Sequence, residues 1–165
     1  MFVREIEAAL SDHRADIAVH SAKDLPYQLA DGMTIGAVVK AASPADVLVI
    51  KPGHEDSLHV IGTGSARRKA AVMRLYPDAL VKNIRGNVET RLKKLSSEDY
   101  DAIVLARAGV DRLGIDLSGY TVKQFSPEDM IPACGQGIVA VECRSDDPEV
   151  LFLLQKINDA EASDY

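Results

Sequence analysis

Short apolar runs alternate along this chain with longer stretches that have helical spacing. The apolar runs predict strands at 16–20, 33–39, 46–50, 79–84, 101–106 and 138–143, with another from Val60 and a short strand or irregular segment at 120–125. Apolar residues three and four positions apart predict helices over 1–11, 66–75, 108–113 and 148–158, and a further helix that carries Val88, Leu92 and Leu95. The last five residues, EASDY, are predicted to trail off without a helix or strand. Phe2, Ile6, Ala9 and Leu10 form the apolar face of the first helix. This alternation predicts an α/β fold, with mostly parallel sheets and flanking helices.

The segment 60–95 repeats one pattern twice: a strand, a glycine turn and a helix. Gly62, Gly64 and Gly86 permit tight turns in which backbone N–H groups can face a ligand. Ser65 and Asn87 are N-cap residues for the helices that follow. The glycine spacing is neither that of a P-loop nor that of a dinucleotide fingerprint. The two turns therefore predict a binding site of another kind.

Arginines stand at or near the start of both of these helices: Arg67 and Arg68 at the first, Arg85 and Arg91 at the second. A helix dipole disfavours cations at this end, so a ligand with several carboxylates or phosphates is predicted. The planar guanidinium fork suits carboxylates. Surface turns with solvated arginines are the alternative. The two turns are stronger evidence together, since both would open at the carboxyl ends of parallel strands.

Two further motifs carry polar groups. HSAKDLP (residues 20–26) places Lys23 and Asp24 in a loop after a strand, where they form either a local ion pair or a site for a substrate carboxylate and a developing cation. His20 is interpreted as a structural polar residue. In CGQG (residues 134–137), Gln136 belongs either to a hinge or to a ligand site, and Cys134 has no nearby base that would make it a nucleophile.

The composition limits the classes of function. A net charge of −6 argues against nucleic-acid binding, and a basic site in an acidic chain suits a small anionic ligand. Cys134 and Cys143 have no metal-ligand or disulfide spacing, and no metal site is expected. No apolar run is long enough to span a membrane, and no signal peptide is recognised. A cytoplasmic protein without membrane contact is predicted.

Four motifs in this order, HSAKDLP, GTGSARR, RGNVETR and IPACGQG, resemble those of the porphobilinogen deaminase (hydroxymethylbilane synthase) family. The resemblance implies a transferase of tetrapyrrole and heme biosynthesis that joins four porphobilinogen units head to tail and releases ammonia. It implies a dipyrromethane cofactor, polypyrrole intermediates as ligands, and two lobes similar to periplasmic-binding-protein domains. Family members are usually monomeric.

The resemblance also implies roles for individual residues. Asp24 matches the catalytic aspartate, which binds pyrrole N–H groups and stabilises an azafulvenium cation. The side chains matching those that hold the carboxylates of cofactor and growing chain are Lys23, Thr63, Ser65, Arg67, Arg68, Arg85, Arg91 and Arg112. The positions matching other parts of the cleft lining are Gly86, Ala106 and Gln136.

The resemblance divides the chain into the second half of domain one (1–39), a nearly complete domain two (40–130), and a return to domain one with the start of a linker (131–165). The family's N-terminal part and its third domain, with the cysteine that carries the cofactor, have no counterpart here, and Gly64 replaces a usual serine. We therefore expect little turnover from this chain alone, and pairing or strand exchange between two copies. The alternative function is a non-catalytic carboxylate-binding module of periplasmic-binding-protein type.

Overall fold

The computed structural model describes residues 2–163, with side chains from Glu5 onward. The chain forms two compact units, one from Met1–Ala42 with Cys134–Tyr165 and the other from Ser43–Ala133. The predicted helix start at residue 1 and the predicted trailing segment at residues 164–165 lie outside the described residues. The Phe2 side chain, predicted to lie on the apolar face of the first helix, lies outside them as well. No helix within residues 2–163 is long and apolar enough to cross a membrane, and this range contains no cluster of three or more potential metal ligands.

Helices and strands alternate through most of the chain. The helices are α1 (Phe2–Ser11), α2 (Ala66–Leu75), α3 (Val88–Ser97), α4 (Arg107–Arg112), α5 (Pro148–Leu154) and α6 (Ala160–Ser163). The strands are β1 (Ile17–Ser21), β2 (Met33–Val39), β3 (Asp46–Ile50), β4 (Val60–Gly62), β5 (Leu80–Lys82), β6 (Ala102–Ala106), β7 (Thr121–Gln124) and β8 (Val139–Arg144). The α/β class is confirmed, and α2 has the predicted bounds.

Two local predictions were wrong. The helix predicted over 148–158 ends at Leu154, and part of the tail predicted to trail off forms α6. Asn158 lies between the two helices, where its Oδ1 accepts a hydrogen bond from the Val38 N–H at 2.8 Å, so it serves as a link to β2 rather than as a helix residue. The loop predicted after β1 contains a single 3₁₀ turn, Ala22–Asp24.

The unit Ser43–Ala133 is built on a five-stranded sheet in the order β5-β4-β6-β3-β7. Alternate residues of β3 and β6 face two separate apolar clusters. Val49 and Ile103 pack with Leu92 and Leu95 of α3 on one face, while Leu48 packs on the other face in the cluster that includes α2. Both central strands are therefore apolar at nearly every position, because both faces of the sheet are covered.

Strand directions are mixed, not mostly parallel as predicted. β4 runs parallel to β5 and β6, whereas β3 is antiparallel to both β6 and β7. The other unit has a three-stranded antiparallel sheet, β1-β8-β2. A continuous apolar run indicates that both faces of a strand are buried, but it does not indicate the direction of the strand. The apolar sequences of β3 and β6 therefore did not reveal that these two strands are antiparallel.

A buried polar pair lies in the three-stranded sheet. His20 Nε2 on β1 is 2.9 Å from Glu142 Oε2 on β8, and the Glu142 side chain has no solvent exposure. Within the described residues Glu142 Oε1 has no hydrogen-bond partner. Burial raises the pKa of Glu142, and His20 partly offsets this, while the charge of Glu7 on α1 adds to it. His20 is thus a structural residue, as predicted.

Replacing Glu142 by glutamine is expected to reduce the dependence of stability on pH. Because the pKa of Glu142 is raised on folding, its stabilising contribution is fully present below the pKa of an unfolded glutamate, roughly 4.3, and is lost as the pH rises through the raised value. The free energy of unfolding of the wild type should therefore fall, relative to that of Glu142→Gln, as the pH rises above about 4. Urea denaturation followed by circular dichroism measures this difference.

The matched control is Glu149→Gln, which removes an exposed carboxylate at the start of α5. Its stability should run parallel to that of the wild type over the same pH range. A constant difference between wild type and Glu142→Gln would contradict the prediction.

Candidate functional site

The predicted arginine turns lie at one end of the five-stranded sheet. β4, β5 and β6 are parallel and end there at Gly62, Lys82 and Ala106, and antiparallel β3 begins there at Asp46, opposite Ala106. We call this the arginine end of the sheet. The expectation that both glycine turns open at the carboxyl ends of neighbouring strands is confirmed.

The first turn is held by hydrogen bonds within its own segment. Buried Thr63 accepts a hydrogen bond from the Ser65 N–H through its hydroxyl oxygen at 3.2 Å, and Ser65 caps α2 by accepting from the Arg68 N–H. A Cβ at Gly64 would lie 2.9 Å from the Ile84 carbonyl oxygen. Gly64 thus permits close packing of this turn on the segment after β5.

Arg68 extends from α2 into a buried position against Asp46. Its Nε and Nη2 donate to Asp46 Oδ1 at 3.0 and 2.8 Å, and its Nη1 donates to the Val104 carbonyl at 3.2 Å. The Arg68 side chain is 7% exposed and that of Asp46 is fully buried. Burial lowers the pKa of Arg68, Asp46 opposes this, and the positive charges of Arg67 and Arg91 lower it further.

Arg67 lies beside Arg68 and contacts the other oxygen of the same carboxylate. Its Nη1 is 2.7 Å from Asp46 Oδ2 and donates to the Ile131 carbonyl at 2.6 Å. Its side chain is 28% exposed, four times as much as that of Arg68. The two adjacent arginines therefore have different environments, and Arg67 is the more accessible to a ligand.

The second turn depends on Gly86, which has a φ of +123°. Asn87 caps α3 by accepting from the Thr90 N–H at 2.8 Å. Arg91 folds back over the turn, with its Nε donating to the Gly86 carbonyl at 2.7 Å. Burial lowers the pKa of Arg91, and its charge acts on Arg68, so the two helix starts share one positive region. Arg85 is exposed in the same turn.

Two predicted residues belong to β6 and α4. Ala106 ends β6 at the arginine end and precedes Arg107, which is paired with Asp111 along α4 at 2.8 Å. Arg112 is exposed at the last residue of α4, five positions after Arg107.

The structure brings the HSAKD and CGQG motifs together within the other unit. The Ala22 N–H donates to the Ile138 carbonyl at 3.0 Å, and Lys23 Nζ donates to Gln136 Oε1 at 3.4 Å. Gly135 has a φ of +68°, and a Cβ there would lie 3.1 Å from Ala22 and from the Lys23 nitrogen. The glycine therefore allows the second motif to pack directly on the backbone of the first.

Asp24 ends the 3₁₀ turn and is exposed. No hydrogen bond or ion pair holds its carboxylate within residues 2–163, so the local Lys23–Asp24 ion pair that was the alternative interpretation is not formed. Lys23, Asp24 and Gln136 belong to one unit, and the arginine turns belong to the other.

Asp46 was missed by the sequence analysis. Its signal was present in the sequence, as a single carboxylate that opens the otherwise apolar run DVLVI. Charged residues are almost never fully buried unless they are paired, so an aspartate at the start of a buried strand indicates a cation nearby.

Comparisons with known proteins identify similar sequences. Residues 1–151 match the family model described as porphobilinogen deaminase, dipyromethane cofactor binding domain. The porphobilinogen deaminase of Macrococcus caseolyticus is 47% identical over 98% of this chain and 53% of its own length. That of Bacillus mycoides is 48% identical over 97% of this chain and 53% of its own length. The chain thus spans about half the length of the curated relatives it matches.

Solved structures share the fold at low sequence identity. An ancestral cationic amino acid solute-binding protein gives a TM-score of 0.57 at 15% identity, covering 93% of this chain and 66% of its own. An amino acid transporter substrate-binding protein of Streptococcus pneumoniae, bound to L-arginine, gives 0.53 at 13%, covering 94% and 65%. Prephenate dehydratase of Arthrobacter aurescens gives 0.53 at 16%, covering 87% and 50%. These likenesses confirm the predicted similarity to periplasmic-binding-protein folds.

Proposed function

The chain belongs to the porphobilinogen deaminase family, and from this premise we propose that it carries the cofactor- and substrate-binding part of a cytoplasmic hydroxymethylbilane synthase. The observation that carries the proposal is the match of residues 1–151 to a dipyrromethane-binding domain, a range that contains every predicted site residue. The reaction proposed is the head-to-tail condensation of four porphobilinogen units with release of ammonia.

The charges at the arginine end suit such a ligand. Each porphobilinogen-derived pyrrole carries an acetate and a propionate, so a dipyrromethane presents four carboxylates. Accessible Arg67 and half-buried Arg91 can pair with carboxylate oxygens through a planar fork, and exposed Arg85 adds charge beside them. The site therefore fits the cofactor's carboxylates. When bound, dipyrromethane supplies the primer that the new pyrroles extend.

Neither cysteine of this chain suits covalent attachment of that primer. Cys143 is fully buried in the apolar cluster with Val141 and Leu154, and burial raises the pKa of its thiol. Cys134 is exposed but stands outside any motif of the attachment type. The role of this chain's residues is thus to hold and orient the pyrroles.

Asp24 is the proposed catalytic residue. Its exposed carboxylate can accept hydrogen bonds from pyrrole N–H groups. When the C–N bond of the protonated aminomethyl group of porphobilinogen breaks, ammonia leaves with the bonding electrons and the positive charge moves to the pyrrole. A carboxylate beside the pyrrole nitrogen stabilises the developing positive charge. Lys23, placed beside Gln136, binds a substrate carboxylate in this proposal.

The two compact units correspond in this proposal to family domains. Ser43–Ala133 represents domain two, and the remaining residues represent part of domain one with the start of the linker to a third domain. These bounds lie within a few residues of the predicted 40–130. Association of two copies of the chain stays a prediction.

Calorimetric titration of the full chain with a synthetic dipyrromethane tetracarboxylate and with porphobilinogen tests the proposed function. The wild type should bind both, and Arg67→Ala or Arg91→Ala should each lower affinity for the dipyrromethane roughly 10- to 100-fold, the effect of losing a charge-assisted hydrogen bond. Arg74→Ala is the matched control, because it removes an exposed arginine from the far end of α2 with the same change in net charge.

Circular dichroism of every sample establishes that the variants are folded. A folded wild type that binds neither ligand would overturn the proposed function. Equal losses in Arg74→Ala and Arg67→Ala would show that net charge, and not the arginine end, determines binding.

A non-catalytic carboxylate-binding module is distinguished by Asp24→Ala. In such a receptor a carboxylate near the ligand only repels, so the variant should bind both citrate and the dipyrromethane more tightly. In the proposed enzyme the variant loses a pyrrole N–H contact, so affinity for the dipyrromethane should fall relative to that for citrate.

A further inference from the structure

Asp46 occupies an unusual position for a carboxylate, fully buried at the first residue of β3. An ionised carboxylate removed from water is stable only when cations and hydrogen bonds compensate it. Here two guanidinium groups do so, with Arg68 on Oδ1 and Arg67 on Oδ2. The three side chains form a compact cluster with one net positive charge.

The cluster also overcomes two unfavourable features of the α2 start. Adjacent arginines repel each other, and a cation is disfavoured at the N-terminal end of a helix dipole. Asp46 offsets both effects, since each of its oxygens contacts one guanidinium group. A ligand is therefore not needed to hold these arginines together.

The contacts of the two arginines leave different atoms for a ligand. All three nitrogens of the Arg68 guanidinium donate to Asp46 or to the Val104 carbonyl, and its side chain is almost fully buried. Arg67 donates a hydrogen bond from Nη1 to the Ile131 carbonyl, and the same Nη1 forms an ion pair with Asp46 Oδ2 at 2.7 Å. Within residues 2–163, its Nε and Nη2 have no hydrogen-bond partner, and the side chain is partly exposed.

We propose that Asp46 is a positioning residue of the anion site, which with Arg68 as its buried anchor fixes the Arg67 guanidinium so that Nε and Nη2 face an external carboxylate. The inference rests on the proposed function. It places a carboxylate of the proposed ligand on Arg67 and not on Arg68. Asp46 itself touches no ligand, and acts through the direction in which it holds Arg67.

A double-mutant cycle on the full chain tests this role. Asp46→Asn should lower affinity for the dipyrromethane tetracarboxylate about 10-fold, because Arg67 is no longer fixed. If Asp46 acts through Arg67, the double variant Asp46→Asn/Arg67→Ala should bind no more weakly than Arg67→Ala alone. Asp111→Asn is the matched control, since it breaks the exposed pair with Arg107 in the same unit, and should stay within twofold of the wild type.

Two results would overturn the inference. One is unchanged affinity in folded Asp46→Asn, and the other is additive losses in the double variant, which would mean that Asp46 affects binding through the fold in general. If Asp46→Asn does not fold, Asp46→Glu replaces it in the cycle: it keeps the charge and displaces the carboxylate by one methylene. A several-fold loss that disappears in the Arg67→Ala background is then expected, and unchanged affinity counts against the role.

Citrate as a second probe separates this inference from the proposed function. If the wild type binds citrate and not the dipyrromethane, the proposed function fails, and the cycle run with citrate still decides the role of Asp46. If the wild type binds both and Asp46→Asn matches it, the inference fails and the proposed function stands. Binding of neither probe overturns both.

Discussion

Replacement of Arg68 by methionine should lower the free energy of unfolding of the unit Ser43–Ala133 by about 3 kcal/mol, the lower end of the usual cost of removing one partner from a buried ion pair. Methionine fills much of the space but leaves Asp46 Oδ1 without the donors at 2.8 and 3.0 Å, and leaves the Val104 carbonyl without Nη1. Arg67 then remains as a cation in contact with the buried carboxylate. Hydrogen exchange of the amides of β3 measures the effect, because these central residues report the opening of this unit.

The double variant Asp46→Asn/Arg68→Met should be more stable than Arg68→Met alone. It also removes the buried negative charge of Asp46, which has lost the hydrogen bonds from Arg68. Lys69→Met on the same helix is the control: Lys69 is exposed, and its replacement should change the free energy of unfolding by less than about 0.5 kcal/mol, as exposed substitutions do. A double variant that is less stable than Arg68→Met would show that the pair is not the source of the cost.

Replacement of Gly86 by alanine should cost about 2 to 4 kcal/mol, from an unfavourable backbone conformation and from overpacking. The φ of +123° is one that residues with a Cβ rarely adopt. The added Cβ would also lie 2.6 Å from Thr90 Cγ2 and 2.8 Å from Thr90 Cβ, so rotation of the threonine side chain cannot remove the contact. The start of α3 must shift, and the hydrogen bond from Arg91 Nε to the Gly86 carbonyl is lost.

Two measurements check this prediction: hydrogen exchange in α3 and the affinity for the dipyrromethane, which should fall with the displacement of Arg91. Gly119→Ala is the control, because nothing lies within 4 Å of an added Cβ there and its φ is not in the left-handed region. Equal stability of Gly86→Ala and Gly119→Ala would contradict the strain argument.

These predictions separate two roles within a single pair of arginines. Arg68 contributes mainly to stability, because its donors are used by Asp46 and Val104. Arg67 contributes mainly to binding, because part of its guanidinium remains accessible. We expect Arg67→Ala to lower affinity more than Arg68→Met does, and Arg68→Met to lower the free energy of unfolding more than Arg67→Ala does.

Local signals were sufficient for most elements of the fold. The N-cap residues Ser65 and Asn87 and the apolar spacing after them predicted α2 and α3, and both caps are formed. Such signals act between residues three or four positions apart, and the physics that produces them does not depend on the rest of the chain. The end of α5 was missed because Asn158 bonds to the distant Val38 N–H.

The sequence by itself determined the α/β class, the places of the strands and helices, the two glycine turns with their arginines, and the family to which the motifs belong. Only the tertiary structure decided that β3 runs antiparallel to β6. It also decided that Lys23 donates to Gln136, 113 positions away, and that Arg68 pairs with Asp46, 22 positions away. Periodicity and capping record how a residue interacts with its near neighbours along the chain. The partner of a buried charge is chosen by packing, which brings together residues that no local pattern connects.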